Sequence, residues 1–261
     1  MLSELQRDRI DIVLVRPRDP LNIGAAARAM ANFGFDHLKV VAPYAPNWRE
    51  ARSAVGAPNL LRDAKEFETL AAAVAECTLV AGTGTLEHRK PEQQVAALPG
   101  FGPLAYDVLA HDGRLALVFG PEKHGLTRDD LSQCHLLVEI PTHPSQPSMN
   151  LGQAVAVCLY ELASSDPASQ SGPDPEMEST SIPAVQTSSL LPDDNTTSGE
   201  LDMLAGLIEE TMTASGYSPA AMRSANQLQT RELLRRLTLT QPDAKRALRF
   251  FRRILWRLNH R

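Results

Sequence analysis

The chain has 261 residues, of which 43% are hydrophobic, so it can form one large domain with a buried core and a small additional module. The net charge is -5, and no apolar run approaches the roughly 18 residues that a membrane-spanning helix needs. The three cysteines, Cys77, Cys134 and Cys158, are far apart and lack CxxC spacing, so neither a disulfide framework nor a metal site is expected. The charged N-terminus lacks a secretory pattern, which predicts a cytoplasmic protein.

Apolar runs and helical patterns alternate over residues 1–163. This alternation is typical of an α/β domain with a mostly parallel sheet covered by helices on both faces. The predicted strands are Ile10–Arg16, Leu38–Val41, Thr78–Ala81, Leu115–Phe119 and Leu136–Ile140. The predicted helices are Ile23–Phe33, Phe67–Glu76, Leu104–Ala110 and Asn150–Leu162.

The last third of the chain changes character twice. Residues 164–198 are rich in Ser, Thr and Pro and carry six acids without Lys or Arg, which predicts a flexible linker. Residues 199–261 predict a small helical extension with helices Leu201–Thr211, Asn226–Leu237 and Asp243–Asn259.

Positive charge is concentrated in the extension. Residues 223–261 hold 11 Lys and Arg against 2 acids, whereas the remainder holds 15 against 29. This asymmetry indicates a polyanionic partner. The alternative is that the basic helices pack on the acidic domain. The candidate phosphate contacts are Arg231, Arg235, Arg236, Arg249, Arg252, Arg253 and Arg257.

Three polar, glycine-containing loops follow predicted strands, at the sheet edge where α/β proteins bind ligands. In 16–28, Asn22 is placed to cap a helix or hold a substrate oxygen, Gly24 permits close approach of another segment, and Arg28 follows one turn later. In 119–126, two glycines bracket Glu122, as in a ligand contact or an ordinary turn.

In the third loop, 141–151, Ser148 and Asn150 precede a buried helix. A capping role for Ser148 is a sufficient structural reason for it, and a ligand contact at the helix N-terminus is the functional alternative. The run 82–85, GTGT, is weak evidence for a nucleotide site, because the dinucleotide fingerprint and the P-loop are both absent. A dehydrogenase is therefore a distant alternative.

Taken together, the three loops resemble a known family. NIGAAAR at 22–28, LVFGPEKHGLT at 117–127 and IPTHPSQPSMNLGQAVAVCLYE at 140–161 resemble, in order and spacing, the three motifs of the SpoU branch of the SPOUT methyltransferases. The resemblance covers residues 8–162. It implies a C-terminal trefoil knot, which general fold rules would not suggest. It also implies a homodimer with the active site at the subunit interface, and S-adenosylmethionine bound in the knot loops.

The resemblance also assigns roles to individual residues. The catalytic motif residues of the family fall on Asn22, Arg28, Glu122, Ser148 and Asn150. The cofactor contacts fall on Thr83, Gly84, Thr85, Gly120, Ile140, Pro147, Ser148 and Met149. Met149 stands where Leu is usual, which preserves side-chain volume.

The activity that the resemblance implies is methylation of an RNA ribose 2′-hydroxyl. The layout, a domain without an N-terminal extension followed by a linker and a helical tail, is similar to branch members that methylate cytidine or uridine at position 32 of tRNA. Two alternatives stay open: ribosomal RNA or another tRNA position as substrate, and an RNA-binding protein with an inactive methyltransferase fold.

Overall fold

A computed structural model describes residues 2–84, 91–164 and 194–260. Its strands form one seven-stranded sheet of order β3-β2-β1-β6-β4-β7-β5, in which every pair is parallel. The strands are β1 Ile10–Val15, β2 Leu38–Val41, β3 Lys65–Phe67, β4 Leu79–Thr83, β5 Gln94–Ala97, β6 Leu115–Phe119 and β7 Leu136–Glu139. The predicted parallel α/β sheet is confirmed.

Ten α-helices lie in the described residues, together with two short 3-10 helices at 48–50 and 220–222. The α-helices are α1 Glu4–Arg7, α2 Pro20–Phe33, α3 Pro58–Asp63, α4 Leu70–Ala73, α5 Leu98–Ala110, α6 Arg128–Ser132, α7 Leu151–Ser164, α8 Ser198–Ala214, α9 Arg223–Arg236 and α10 Gln241–Asn259. None of these helices has the length and apolarity that a bilayer crossing needs.

The sheet is buried on both faces because its strands are apolar at consecutive positions. In β1, Ile12 and Leu14 point into the core shared with α2, α5 and α7, whereas Val13 and Val15 point into the core on the side of α4. Side chains alternate between the faces of a strand, so an unbroken apolar run supplies both cores. This burial agrees with the central place of β1 in the sheet, between β2 and β6.

The predicted helix over Phe67–Glu76 is wrong. Phe67 ends β3, which pairs with β2, and its carbonyl accepts a 2.8 Å hydrogen bond from the Ala42 amide. Only Leu70–Ala73 is helical, capped by the Thr69 hydroxyl, which accepts from the Ala72 amide. Strand pairing with residues distant in sequence outweighs the helical preference of an alanine-rich segment here.

Helix α2 begins three residues before the predicted start at Ile23. Asp19 is the N-cap and accepts from the Leu21 amide, and Pro20 occupies the first helical position. Asn22 consequently lies in the first turn of the helix and does not cap it. Its side chain is free to reach across to another loop.

Helices α2 and α7 pack closely through small residues. A Cβ added at Gly152 would lie 2.6 Å from the Ala25 Cβ, and one added at Gly24 would lie 2.2 Å from the Ser53 Oγ. Both glycines therefore hold α2 between α7 and the segment around Ser53. The close approach expected at Gly24 is confirmed.

We expect Gly152→Val to lower the free energy of unfolding by about 1–3 kcal/mol, because its side chain would push α7 away from α2. Gly206→Ala is the matched control: Gly206 lies inside α8 with open space around its Cα. That change should stabilise the protein by about 0.5–1 kcal/mol. Urea unfolding measures both, and an unchanged midpoint for the valine variant would contradict the packing described.

Helices α8, α9 and α10 form their own small core and dock on the main domain. Leu201, Leu204, Leu234 and Leu248 are buried together in this core. Leu233 and Leu237, on the same helix as Leu234, are 46% and 52% exposed. The start of α8 is tied to the segment after α4, because the Ser198 amide donates to the Cys77 carbonyl at 2.8 Å.

Candidate active site

The loops after β6 and β7, the end of β4 and the start of α7 line a cavity of about 260 Å³ at the carboxyl edge of the sheet. The loop after β1 adjoins it through the hydrogen bonds of Asn22 to Glu122 and Asn150. Of the eight residues assigned to the cofactor, seven line this cavity, and Thr85 lies outside the described residues. The seven are Thr83, Gly84, Gly120, Ile140, Pro147, Ser148 and Met149. Four segments separated by up to 66 positions in the chain thus share one concave surface.

Glu122 joins the first loop to the second. Its carboxylate accepts hydrogen bonds from the backbone amides of Arg18, at 3.1 Å, and Asp19, at 3.3 Å, and from the Asn22 side-chain amide at 2.8 Å. Three donors converge on one acceptor pair that carries a full charge. Such charge-assisted bonds are stronger than neutral ones.

Asn150 extends the same network to the third loop. Its side-chain nitrogen donates to the side-chain amide oxygen of Asn22 at 2.9 Å. Its own carbonyl oxygen accepts from the Gly152 amide at 2.9 Å, so Asn150 caps the first turn of α7. The capping role that the sequence suggested for Ser148 belongs to Asn150. Ser148 instead lines the cavity.

The network keeps the Glu122 carboxyl ionised. Partial burial raises its pKa, but the hydrogen bonds from Asn22 and from the backbone of Arg18 and Asp19 together lower the pKa below its ordinary value. The carboxylate is therefore an acceptor that holds the loops, and its charge is retained at neutral pH.

Gly120 and Gly125 serve the turn itself. Gly125 has a positive φ of 63°, and a Cβ at Gly120 would lie 2.3 Å from the Leu126 amide nitrogen. Both positions need glycine for a turn that folds back on the end of β6. This turn directs the Glu122 side chain toward the first loop.

Arg28 lies outside the lining of the cavity. It is exposed on α2 and forms no hydrogen bond or ion pair with the residues that the structure describes. At 100° per residue it shares a helix face with Leu21, which is 55% exposed. Val157 and Tyr160, on α7, are also exposed, at 37% and 60%. Arg28 therefore lies on an exposed face of α2, the helix that packs against α7.

The tail arginines divide into two groups. Arg235, predicted as a phosphate contact, is 1% exposed and donates to the Gln133 carbonyl, the Gln133 side chain and Asp202, so that prediction is corrected. Arg231 pairs with Asp129, and Arg236 with Glu92, both in the main domain. The packing alternative thus applies to α9. The remaining four are exposed on α10: Arg249, Arg252, Arg253 and Arg257.

The comparisons with known proteins agree with this geometry. A model of the SpoU rRNA Methylase family matches residues 9–160, which is more than half of the chain. The chain belongs to the SpoU methylase family. It is 35% identical over 216 residues to the tRNA (cytidine/uridine/adenosine-2′-O-)-methyltransferase TrmJ of Pseudomonas aeruginosa, covering 80% of this chain and 79% of that one.

Two further relatives extend the likeness through the tail. The tRNA (cytidine/uridine-2′-O-)-methyltransferase TrmJ of Pectobacterium atrosepticum is 32% identical over 240 residues, covering 91% of this chain and 92% of that one. The crystal structure of TrmJ from Z. mobilis ZM4 superposes with a TM-score of 0.72 at 29% identity, covering 95% of this chain and 98% of that one.

Within this SpoU methylase cavity, several lining residues were not predicted. Phe119, Leu126, Leu151 and Ala154 form apolar walls, and Thr142 stands in the third loop. All of them lie inside or beside the three motifs. Apolar residues at strand ends are indistinguishable from core residues in a sequence, so no local signal marked them.

We expect Glu122→Gln to lower the free energy of unfolding by roughly 1 kcal/mol. The glutamine NH₂ group would replace one carboxylate oxygen, so an N–H donor would face the N–H donors that now bind that oxygen. The stabilisation by Glu122 is present above the ordinary glutamate pKa and is lost as pH falls through its lowered pKa, so the difference from wild type should vanish in acid.

The matched control for Glu122→Gln is Glu76→Gln, an exposed carboxylate away from the loops. Urea unfolding at pH 7 and at pH 3.5 measures all three proteins. Equal stability of wild type and the Glu122 variant at pH 7 would show that the carboxylate does not hold the loops.

We expect Arg235→Met to destabilise the protein by about 3 kcal/mol, because it leaves Asp202 without its partner at the docking surface of α9. The neighbouring exposed pair is the control: Arg236→Met should cost less than about 1 kcal/mol. Thermal unfolding distinguishes the two, and equal effects would contradict the anchoring role of Arg235.

Proposed function

We propose that this chain is an S-adenosylmethionine-dependent methyltransferase that modifies a ribose 2′-hydroxyl of tRNA. The observation that carries the proposal is the single cavity lined by the second and third SpoU motif loops and the end of β4, with Asn22 of the first loop hydrogen-bonded to Glu122 and Asn150 beside it. The TrmJ relatives, whose names give tRNA 2′-O-methylation, match the chain through both domain and tail.

The lining of the cavity suits S-adenosylmethionine chemically. Its volume of about 260 Å³ lies just below the range of about 300–1,000 Å³ that is typical of small-molecule sites. A Cβ at Gly84 would meet nothing within 4 Å, so the backbone there opens on free space. Phe119, Ile140 and Leu151 offer apolar contact for an adenine ring. The predicted contacts at Thr83, Gly120, Pro147, Ser148 and Met149 complete the set.

The cofactor would supply an electrophilic methyl group, and the residues of this chain would place the ribose. Arg28 is charged and has no lone pair to act as a base, so its role is to bind an RNA phosphate and align the 2′-hydroxyl. Asn22 and Asn150 are already bonded to each other and to Glu122. Their role is to hold the first and third loops in register, while Ser148 faces the cavity.

We propose a homodimer, because Arg28 lies on an exposed face and not in the cavity of its own chain. Leu21 on α2 and Val157 and Tyr160 on α7 make that face partly apolar. An isologous contact through it would bring Arg28 of one subunit toward the other subunit's cavity. The trefoil knot is part of the same proposal. The strand order supports it, because β7 lies between β4 and β5 although both of these strands precede it in the chain.

The finer substrate assignment is also a proposal. We favour cytidine or uridine at position 32 of the anticodon loop, in the cytoplasm, with residues 1–163 as the catalytic domain, 164–198 as linker and 199–261 as the tRNA-binding extension. The description of the matched family names rRNA, so ribosomal RNA is the alternative substrate. Mapping the methylated nucleotide after incubation with tRNA or ribosomal RNA decides between them.

We expect Arg28→Ala to abolish methyl transfer to tRNA while S-adenosylmethionine binding stays close to that of wild type. Arg62→Ala is the control, because Arg62 is 70% exposed and pairs only with its neighbour Asp63. Transfer of a labelled methyl group and calorimetric cofactor titration are measured side by side. Retention of more than a few percent of the activity by the Arg28 variant would exclude its role.

A further inference from the structure

Helix α10 has two different long faces. One is covered: Ala244 and Leu248 are buried, and Phe251 packs on the same small core with α8. The other face is exposed and is called here the α10 stripe. It consists of Arg246, Arg249, Phe250, Arg253, Trp256 and Arg257.

The stripe is continuous along the helix. At 3.6 residues per turn, its six side chains fall within an arc of about 120°, opposite the buried positions. Phe250 has Arg246 four positions before it and Arg253 three positions after it, and Trp256 has Arg253 three positions before it, so each aromatic residue lies next to an arginine. The stripe runs over three turns of the helix.

The two aromatic rings of the stripe are presented to solvent. Phe250 is 62% exposed and Trp256 is 51% exposed. The guanidinium carbon of Arg253 lies 5.4 Å from the centroid of the Trp256 ring, and His260 stacks on that ring with centroids 4.8 Å apart. Phe250 meets the Phe251 ring edge-on, with centroids 5.6 Å apart, but neither Phe250 nor Trp256 is among the buried residues of the core.

The charge of the stripe is unbalanced. The only acid on α10 is Asp243, in the first turn, and it pairs with Arg246 at 3.1 Å. The arginines beyond it, Arg249, Arg253 and Arg257, have no carboxylate three or four positions away on this helix. In a chain of net charge -5, this is a local concentration of positive charge that complements a polyanion.

We propose that the α10 stripe binds a single-stranded segment of RNA, with Phe250 and Trp256 stacking on unpaired bases and the arginines contacting the flanking phosphates. The inference deepens the proposed function and rests on it. Arginines alone would suffice for the phosphates of a duplex. Exposed aromatic faces interleaved with arginines match unpaired nucleotides, whose base faces are accessible.

A second copy of this chain is the competing occupant. Two stripes facing each other would bring like charges together without an acid to compensate them, which opposes association. RNA removes that repulsion because every nucleotide carries a negative phosphate. The charge therefore favours RNA, and self-association becomes an outcome of the test.

Tryptophan fluorescence offers a direct probe, because the chain has two tryptophans and the other, Trp48, is 0% exposed. The full-length protein is titrated with a single-stranded uridine decamer and with the same decamer in an RNA duplex. Stacking predicts quenching of the Trp256 emission by the single strand only, with no such quenching in Trp256→Phe. Equal quenching by the duplex, or none by the single strand, would overturn the proposal.

Salt-dependent tRNA binding separates stacking from charge. The double change Phe250→Leu with Trp256→Leu should weaken binding at least about fivefold, as loss of one stacked base does, and leave the salt slope unchanged. Arg249→Gln with Arg253→Gln should weaken binding and reduce the slope by about 1.4, for two single-strand phosphate contacts. Tyr217→Leu, an exposed aromatic of the tail outside the stripe, is the control and should bind as wild type.

Circular dichroism and sedimentation accompany each variant. If the folded leucine double variant binds tRNA as wild type does, or differs from it only in its state of association, the stripe does not stack on RNA. The proposed function fails separately, if the wild-type protein transfers no methyl group to any tRNA. If the wild-type protein methylates tRNA and the leucine double variant binds tRNA as tightly as wild type, only the proposal for the α10 stripe is refuted.

Discussion

The Glu122 carboxylate joins loops that are about a hundred residues apart in the chain. It accepts hydrogen bonds from the Asn22 side-chain amide and from two backbone amides of the first loop. The Asn22 side-chain oxygen accepts a hydrogen bond from the Asn150 side chain of the third loop. Each loop alone is a short polar turn with little core to hold it. Because one ionised acceptor satisfies donors from the first loop and connects to the third, the cavity walls keep a common geometry without bound ligand.

The positions of the arginines determine what each can do. Arg235 is enclosed by Gln133, Ser198 and Asp202, so it attaches the tail to the catalytic domain and is not available to a ligand. Arg28 and the arginines of α10 are exposed and are available to phosphates. Residues of identical chemistry thus divide into a buried anchor and two exposed groups, for which phosphate contact is proposed.

The sequence predicted the parallel sheet because its central strands are unbroken apolar runs, and it predicted the cavity because three motifs occur in family order. It failed where pairing at a distance decides the structure. The edge strand β5 is short and partly polar, and β3 replaces the start of a predicted helix. Local propensity contains no information about such partners. The burial of Arg235 and the bond from Asn150 to Asn22 likewise depend on tertiary contacts that no spacing reveals.

The most direct test of the account is amide hydrogen exchange of the full-length protein with and without S-adenosylmethionine. If the end of β4 and the loops after β6 and β7 form one cofactor cavity, saturation with the cofactor slows exchange together in residues 82–84, 119–126 and 140–151, and one molecule binds per chain. Protection confined to one of these segments, or located elsewhere in the chain, would contradict the central claim that they act as one site.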